Sequence, residues 1–156
     1  MKYSELVEKL SKEVPEMFPW DLEERFEAGG RPLIVDVREP NEFEFARIDG
    51  SINVPRGILE QSCEWDYDET VPELVEARDK EVIVVCRSGH RSVLAAYNMK
   101  LLGYQNAISL KTGLKGWNDF EQPLVNAAGE VVDIDEVDAF FATKLREDQI
   151  DPARRQ

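Results

Sequence analysis

Val82-Ile83-Val84-Val85-Cys86-Arg87-Ser88-Gly89-His90-Arg91-Ser92 is the stretch on which the reading of this chain turns. Four β-branched apolar residues in a row suit a strand buried on both faces, and they end on a cysteine. A short loop with two arginines, a glycine and a histidine follows, and then a helix-forming run from Val93 to Leu102. A thiol between a buried strand and a helix N-terminus sits among unpaired backbone N–H groups, at the positive end of the helix dipole. Both arginines add to that field. Each contribution favours thiolate, the nucleophilic form of cysteine. The stretch therefore predicts a reactive Cys86 in a loop shaped to hold an anion.

Working outward, the same alternation of strand and helix recurs. Leu33-Ile34-Val35-Asp36-Val37 reads as a second buried parallel strand, Ser51 to Val54 as a short one cut off by Pro55, and Ala107 to Leu110 as another. Helices are expected over residues 4–12, 21–27 (closed by Gly29-Gly30), 39–45, 71–77 and 114–120, with a helical turn over 56–61. The helix after the cysteine places Val93, Ala96, Tyr97 and Leu101 on one face, with Gly103 as its cap. Such alternation implies an α/β sheet with helices on both faces. In these sheets the loops leaving the carboxyl ends of the strands form the site, which is where Cys86 lies.

Length and composition agree with a small enzyme domain. The 156 residues are 42% hydrophobic, enough to fill one core. Asp and Glu outnumber Lys and Arg by 32 to 19, for a formal charge of −13, which argues against nucleic-acid and anionic-membrane partners. On so acidic a chain the arginines beside Cys86 form a local positive island. Solubility accounts for the remaining acidity. Two cysteines are too few for a disulfide framework, and a lone His90 beside no CxxC pattern builds no metal site. With no apolar signal core and no span-length apolar run, a reducing cytoplasm is the expected home. Cys63 falls in an acidic stretch, Ser62 to Thr70, expected to be an exposed loop. It reads as an incidental thiol, with sulfur relay as the sharper alternative.

Beyond Pro123 the pattern changes. Asp133 and Glu136 have capping-box spacing, and Ile134, Val137, Phe140, Phe141 and Leu145 make a helical apolar stripe. An added helix on the same core is the favoured reading, and a partner-binding helix the alternative. The expected organisation is an N-terminal helical extension over 1–19, a domain over 20–124 and a C-terminal helical extension over 125–156.

Three separated segments carry a resemblance. Asp36-Val37-Arg38-Glu39-Pro40-Asn41-Glu42-Phe43, continued by Ile48 to Pro55, the loop Cys86 to Ser92, and Leu110 to Trp117 together resemble the signatures of the rhodanese-like (sulfurtransferase) domain family, in order and spacing. Two positions depart from it. Arg47 stands where the family usually has His, and Thr112 where it has the first of two glycines. If that glycine needs a positive φ, Thr112 strains the turn.

The resemblance implies a rhodanese-like α/β fold, a mostly parallel sheet of about five strands flanked by helices on both faces. It also implies a persulfide on Cys86. In that scheme Cys86 thiolate takes sulfane sulfur from a small anionic donor such as thiosulfate and passes it to cyanide, a thiol or a sulfur-carrier protein, with no cofactor and no metal. The residues suggest roles around it. Arg87 binds the anionic donor, and Arg91 does so or pairs with an acid. Ser88 and Gly89 offer amides, His90 lies at the mouth, and Ser92 caps the following helix or touches substrate. Asp36 and Arg38 read as a structural ion pair. The rivals are a phosphatase or arsenate reductase on the same architecture, and a non-catalytic or sulfur-carrying module. Those phosphatases resemble Cys-x5-Arg, and here only four residues separate Cys86 from Arg91. The tighter loop suits a single sulfur atom.

Overall fold

The computed structural model describes residues 1–155. Five strands, β1 (Glu16–Met17), β2 (Leu33–Asp36), β3 (Ile52–Asn53), β4 (Glu81–Val85) and β5 (Asn106–Leu110), form one sheet in the order β1-β5-β4-β2-β3. Every pairing is parallel. The strand ending at the cysteine is thus the central one, flanked by β5 and β2.

The helices are α1 (Tyr3–Ser11), α2 (Pro19–Glu27), α3 (Pro40–Phe45), α4 (Leu59–Ser62), α5 (Pro72–Val75), α6 (Arg91–Leu101), α7 (Gly113–Asp119) and α8 (Ile134–Phe141). Side chains alternate along the strands and sort the core into two layers. Val35, Val37, Val82, Val84, Cys86 and Ala107 pack with Val7, Val93, Ala96 and Met99, the side of α1 and α6. Ile34, Ile83, Val85, Ile108 and Leu110 pack with Leu22, Leu114, Trp117, Val137 and Phe141, the side of α2, α7 and α8. Residues such as Ile83 and Val84 are fully buried, each burial favouring the fold by about 1.5–3 kcal/mol.

The sheet and two-sided helical cover are as expected from the sequence, with three local differences. Glu16–Met17, within the segment read as a helical extension, is an edge strand on β5. Two residues between prolines are too short to show a period. Leu101 is 67% exposed, and Met99 takes its place in the core. Eight residues after Val93, a helix at 100° per residue has drifted about 80° around its axis. Cys63 is buried at 0% exposure rather than lying in an open loop. It closes α4, and its neighbours Ser62 and Leu59 pull it inward.

The C-terminal segment packs on the common core. Asp133 caps α8 by accepting from the amides of Asp135 and Glu136, and Val137 and Phe141 are fully buried. Ile134 and Leu145, the ends of the expected stripe, remain exposed.

Candidate active site

Cys86 follows directly on β4, at the carboxyl edge of the sheet. Residue parity along the strand turns its side chain toward α6, and the loop folds back beneath α6's first turn. The sulfur accepts the Gly89 amide at 3.1 Å and the Ser92 amide at 3.3 Å, and the Ser92 hydroxyl lies 3.4 Å away. The residue is 1% exposed. The cradle therefore takes its two backbone donors from Gly89 and Ser92, within the six residues that follow the cysteine.

Two glycines make the close packing around this loop possible. Gly89 sits at φ +91°, and a Cβ there would lie 3.0 Å from the Thr112 nitrogen. Gly113 sits at φ +64°, and a Cβ there would lie 2.5 Å from the Arg87 carbonyl carbon. That contact lets the amides of Leu114 and Lys115, at the start of α7, donate to the carbonyls of Cys86 and Arg87 at 2.9 Å each. The opening amides of one helix thus tether the cysteine loop, satisfying donors that a helix N-terminus would otherwise leave free. Thr112 does adopt the left-handed conformation, φ 67°, as anticipated for a residue in place of glycine. Such a position costs about 1–2 kcal/mol for a residue bearing a Cβ.

The charged residues of the loop have partners of their own. Arg91 is bound through both terminal nitrogens to both carboxylate oxygens of Glu42, at 2.9 and 3.0 Å. Glu42 also caps α3 by accepting the Glu39 amide at 2.9 Å. Burial on its own would raise the Glu42 carboxyl. The Arg91 hydrogen bond, the Glu39 amide and the charges of Arg91 and Arg38 outweigh that and hold it below the usual range. Arg91 is raised in turn, chiefly by its bond to Glu42. Arg87 reaches away along the C-terminal segment. Its Nε and Nη2 donate to the Phe141 carbonyl, and Nη2 also meets the Thr143 hydroxyl at 3.2 Å. Neither guanidinium donates to the sulfur among the described hydrogen bonds. Behind them Asp36 and Arg38 form a fully buried ion pair at 2.8 Å, with Arg38 also donating to the Ala46 carbonyl.

Three contributors escaped the sequence reading. Ser109 on β5 holds the Ser92 hydroxyl at 2.7 Å, so a buried pair of hydroxyls lies under the sulfur. Its signal is parity: Ser109 pairs with Val84 and shares the face of Ala107 and Cys86. Glu42 stands in the first of the resembling segments, but nothing local in the sequence pairs it with Arg91, 49 residues away. Tyr3 of α1 meets the His90 ring edge-on, with centroids 6.1 Å apart. Burial pushes its phenol up, and the nearby Cys86 adds to the rise while Arg91 opposes it. Ser88 faces outward, lining a cavity of about 490 Å³ with Trp20, Thr112, Lys115, Gly116 and Phe120. Arg47 does surface work, its Nε donating to the Phe43 carbonyl and its guanidinium lying over the Phe43 ring. Among the described residues, no three His, Cys, Asp or Glu side chains converge where a metal ion could sit, and no helix is long and apolar enough to cross a membrane.

A parallel α/β sheet with a cysteine loop at the carboxyl end of its central strand defines the class. Residues 19–120 match the model of the rhodanese-like domain, and the chain belongs to that family. It is 30% identical over 109 residues to the "Putative thiosulfate sulfurtransferase, mitochondrial" of Schizosaccharomyces pombe, covering 64% of this chain and 77% of that protein. It is 36% identical over 84 residues to the "Putative sulfur carrier protein YrkF" of Bacillus subtilis, covering 54% of this chain and 40% of the relative. The chain spans only 19 to 25% of the adenylyltransferase–sulfurtransferases that it also matches. Among solved structures, a protein of unknown function from Rhodopseudomonas palustris, described as a possible tyrosine phosphatase, superposes with a TM-score of 0.72 at 25% identity, covering 80% of this chain and 94% of that one.

Proposed function

We propose that this protein is a sulfurtransferase that carries sulfane sulfur as a persulfide on Cys86. The observation that carries the reading is the sulfur itself, receiving two backbone amides inside a six-residue loop. Those donors stabilise negative charge on sulfur, and fixed donors of this kind are commonly the largest catalytic contribution. Cys86 thiolate attacks the outer sulfur of a donor such as thiosulfate or an organic persulfide. The new Sγ–S bond forms as the donor's S–S bond breaks, and sulfite or a thiolate leaves with the electron pair. An acceptor thiolate, or cyanide in an assay, then attacks the outer sulfur and restores the Cys86 thiolate. In this scheme the Gly89 and Ser92 amides hold the sulfur, Ser88 and His90 lie on the outer side of the loop, Arg91 is braced by Glu42, and Arg87 is turned to the end of α8. No metal or organic cofactor takes part in this scheme. The reaction is proposed for a reducing compartment, the cytoplasm, because a thiolate nucleophile must stay reduced to turn over. A carrier protein as acceptor is the partner class that the sulfur-carrier relative supports.

A phosphatase is the second reading, prompted by the possible phosphatase activity ascribed to the Rhodopseudomonas neighbour. Four residues between Cys86 and Arg91 make a loop one residue shorter than the phosphatase pattern, and Arg91 is spent on Glu42. One experiment separates the two. Reduced protein is incubated with thiosulfate or with the persulfide of mercaptoethanol, desalted and weighed by intact mass spectrometry, beside Cys86→Ser. Gain of one sulfur only when Cys86 is present is the expected result. No gain from either donor, together with hydrolysis of an aryl phosphate, would replace sulfur transfer with phosphoryl chemistry.

A further inference from the structure

We propose, resting on sulfur transfer at Cys86, that this chain takes its sulfur from persulfides carried on uncharged organic bodies and discriminates against dianionic donors, because the C-terminal segment and Glu42 hold both loop arginines away from the donor. The contact that sets this preference is the one between Arg87 and the end of α8, which makes Phe141 and Thr143 specificity-determining through Arg87.

Positive charge available to a donor is scarce at the loop. Thiosulfate brings two negative charges to a molecule of formal charge −13, so it needs a local cation to replace lost hydration. Arg91 is bidentate on Glu42, which makes that pair formally neutral and commits its fork. Arg87 is directed at the C-terminal end of α8, where the carbonyl of Phe141 carries the negative end of the helix dipole. Two nearby lysines are occupied as well. Lys111 lies over the Phe18 ring at 5.2 Å, and Lys115 pairs with Asp119 at 3.5 Å.

What surrounds the loop suits an organic body. Trp20 and Phe120 meet edge-on at 5.9 Å and line the cavity that begins at Ser88. Tyr3 and His90 form an aromatic wall on the loop. A persulfide R–S–SH needs only its outer sulfur within reach of the Cys86 thiolate. The Cys86 Sγ–S bond forms, the S–S bond of the donor breaks, and R–S⁻ leaves with the pair and takes a proton from water. No electron is gained or lost overall, and no further reactant is required.

The arrangement holding Arg87 is firm. Val137 and Phe141 anchor α8 in the core, Asn118 donates to Asp138 at 2.9 Å, and Phe140 stacks on Phe45 at 4.4 Å. The clamp is formed by a segment outside the matched family region, which ends at residue 120.

The test is the rate at which Cys86 gains sulfur, followed by intact mass, from three donors across a salt series. The persulfides of mercaptoethanol and mercaptosuccinate share the reacting bond and differ by two carboxylates; thiosulfate is the third. The mercaptoethanol persulfide, whose only charge is on its terminal sulfur, is expected to load at least about tenfold faster than either more highly charged donor, with the rates of those two rising more steeply as salt screens the like charge. Phe140→Ala, which loosens the end of α8, is expected to speed thiosulfate loading about threefold while leaving the mercaptoethanol persulfide's rate within about twofold. Thr143→Val, at an exposed position, gives a smaller change in the same direction if Phe140→Ala does not fold. Thiosulfate loading as fast as the mercaptoethanol persulfide, or slowed by salt, overturns the preference and leaves sulfur transfer standing. No sulfur on Cys86 from any of the three removes sulfur transfer itself, and the preference with it.

Discussion

Cys63 and Cys86 are both free thiols and both buried, at 0% and 1% exposure, in the same core layer. Their surroundings differ in the direction of the dipoles. Cys63 closes a short helix, the carbonyls of Leu59 and Glu60 accept its own amide, and Arg78 donates to its carbonyl rather than to its sulfur. Burial pushes its thiol up, against weaker lowering by the Tyr104 hydroxyl and the Arg78 charge. Cys86 opens a loop whose amides converge on the sulfur. Burial alone therefore does not mark a thiol as inert or reactive; the donors aimed at the sulfur do.

The sharpest way to break this comparison is to exchange the roles of the two cysteines. Cys86→Ser should abolish sulfur gain while Cys63→Ser leaves it, the latter losing about 1–3 kcal/mol of stability for a hydroxyl placed in an apolar site. Loading by mass and unfolding in urea read the two effects separately. If Cys63→Ser also stops loading, relay between the thiols replaces the inert role.

Next in size is Gly113→Ala. The added Cβ would collide with the Arg87 carbonyl and must also hold φ +64°, so the loop should shift and loading should fall by about a hundredfold, the usual penalty for misplacing reacting atoms. The folded state should persist by circular dichroism. Loading at the wild-type rate would show that the tether from α7 is unnecessary.

Ser109→Ala tests the hydroxyl pair under the sulfur. It removes the hydroxyl that orients Ser92 and leaves the sulfur as that side chain's remaining partner, and loading should fall by roughly tenfold, equivalent to about 1.4 kcal/mol for one lost hydrogen bond. An unchanged rate would confine Ser109 to packing.

The smallest effects are in the pH dependence of stability. Glu42 is held below its ordinary value, so its contribution is complete above about pH 4.5 and is lost as pH falls through the lower folded value. Cys63 is raised, so its contribution is complete below the ordinary 9.0 and is lost as pH rises from there toward the folded value. Glu42→Gln should flatten the acid side of the stability profile and Cys63→Ala the alkaline side, each leaving the other limb as it was. Urea midpoints measured from about pH 3 to about pH 10 check both.

The central strands, the helix after the cysteine and the loop itself were legible because their signals are local. A β-branched run, a 3.6-residue period and a Cys-to-Arg spacing are each contained in a dozen residues. Edge strand β1 escaped because two residues carry no period, and Cys63 was misplaced because an acidic stretch hides one inward-turned residue. Arg87 shows the same limit at the site. Its place in the loop is readable, but its partner lies 54 residues away.

By its order of residue types alone, the chain determined a parallel α/β sheet, the strand that ends in a cysteine and the length of the loop around it. Those depend on backbone preference and on neighbours a few positions apart. Only the tertiary structure decided which charges face the sulfur, that Ser109 lies beneath it, and that Glu42 and the end of α8 take the two arginines. Such pairings join groups distant in sequence, and their energy exists only once sheet register and helix packing have brought them within reach.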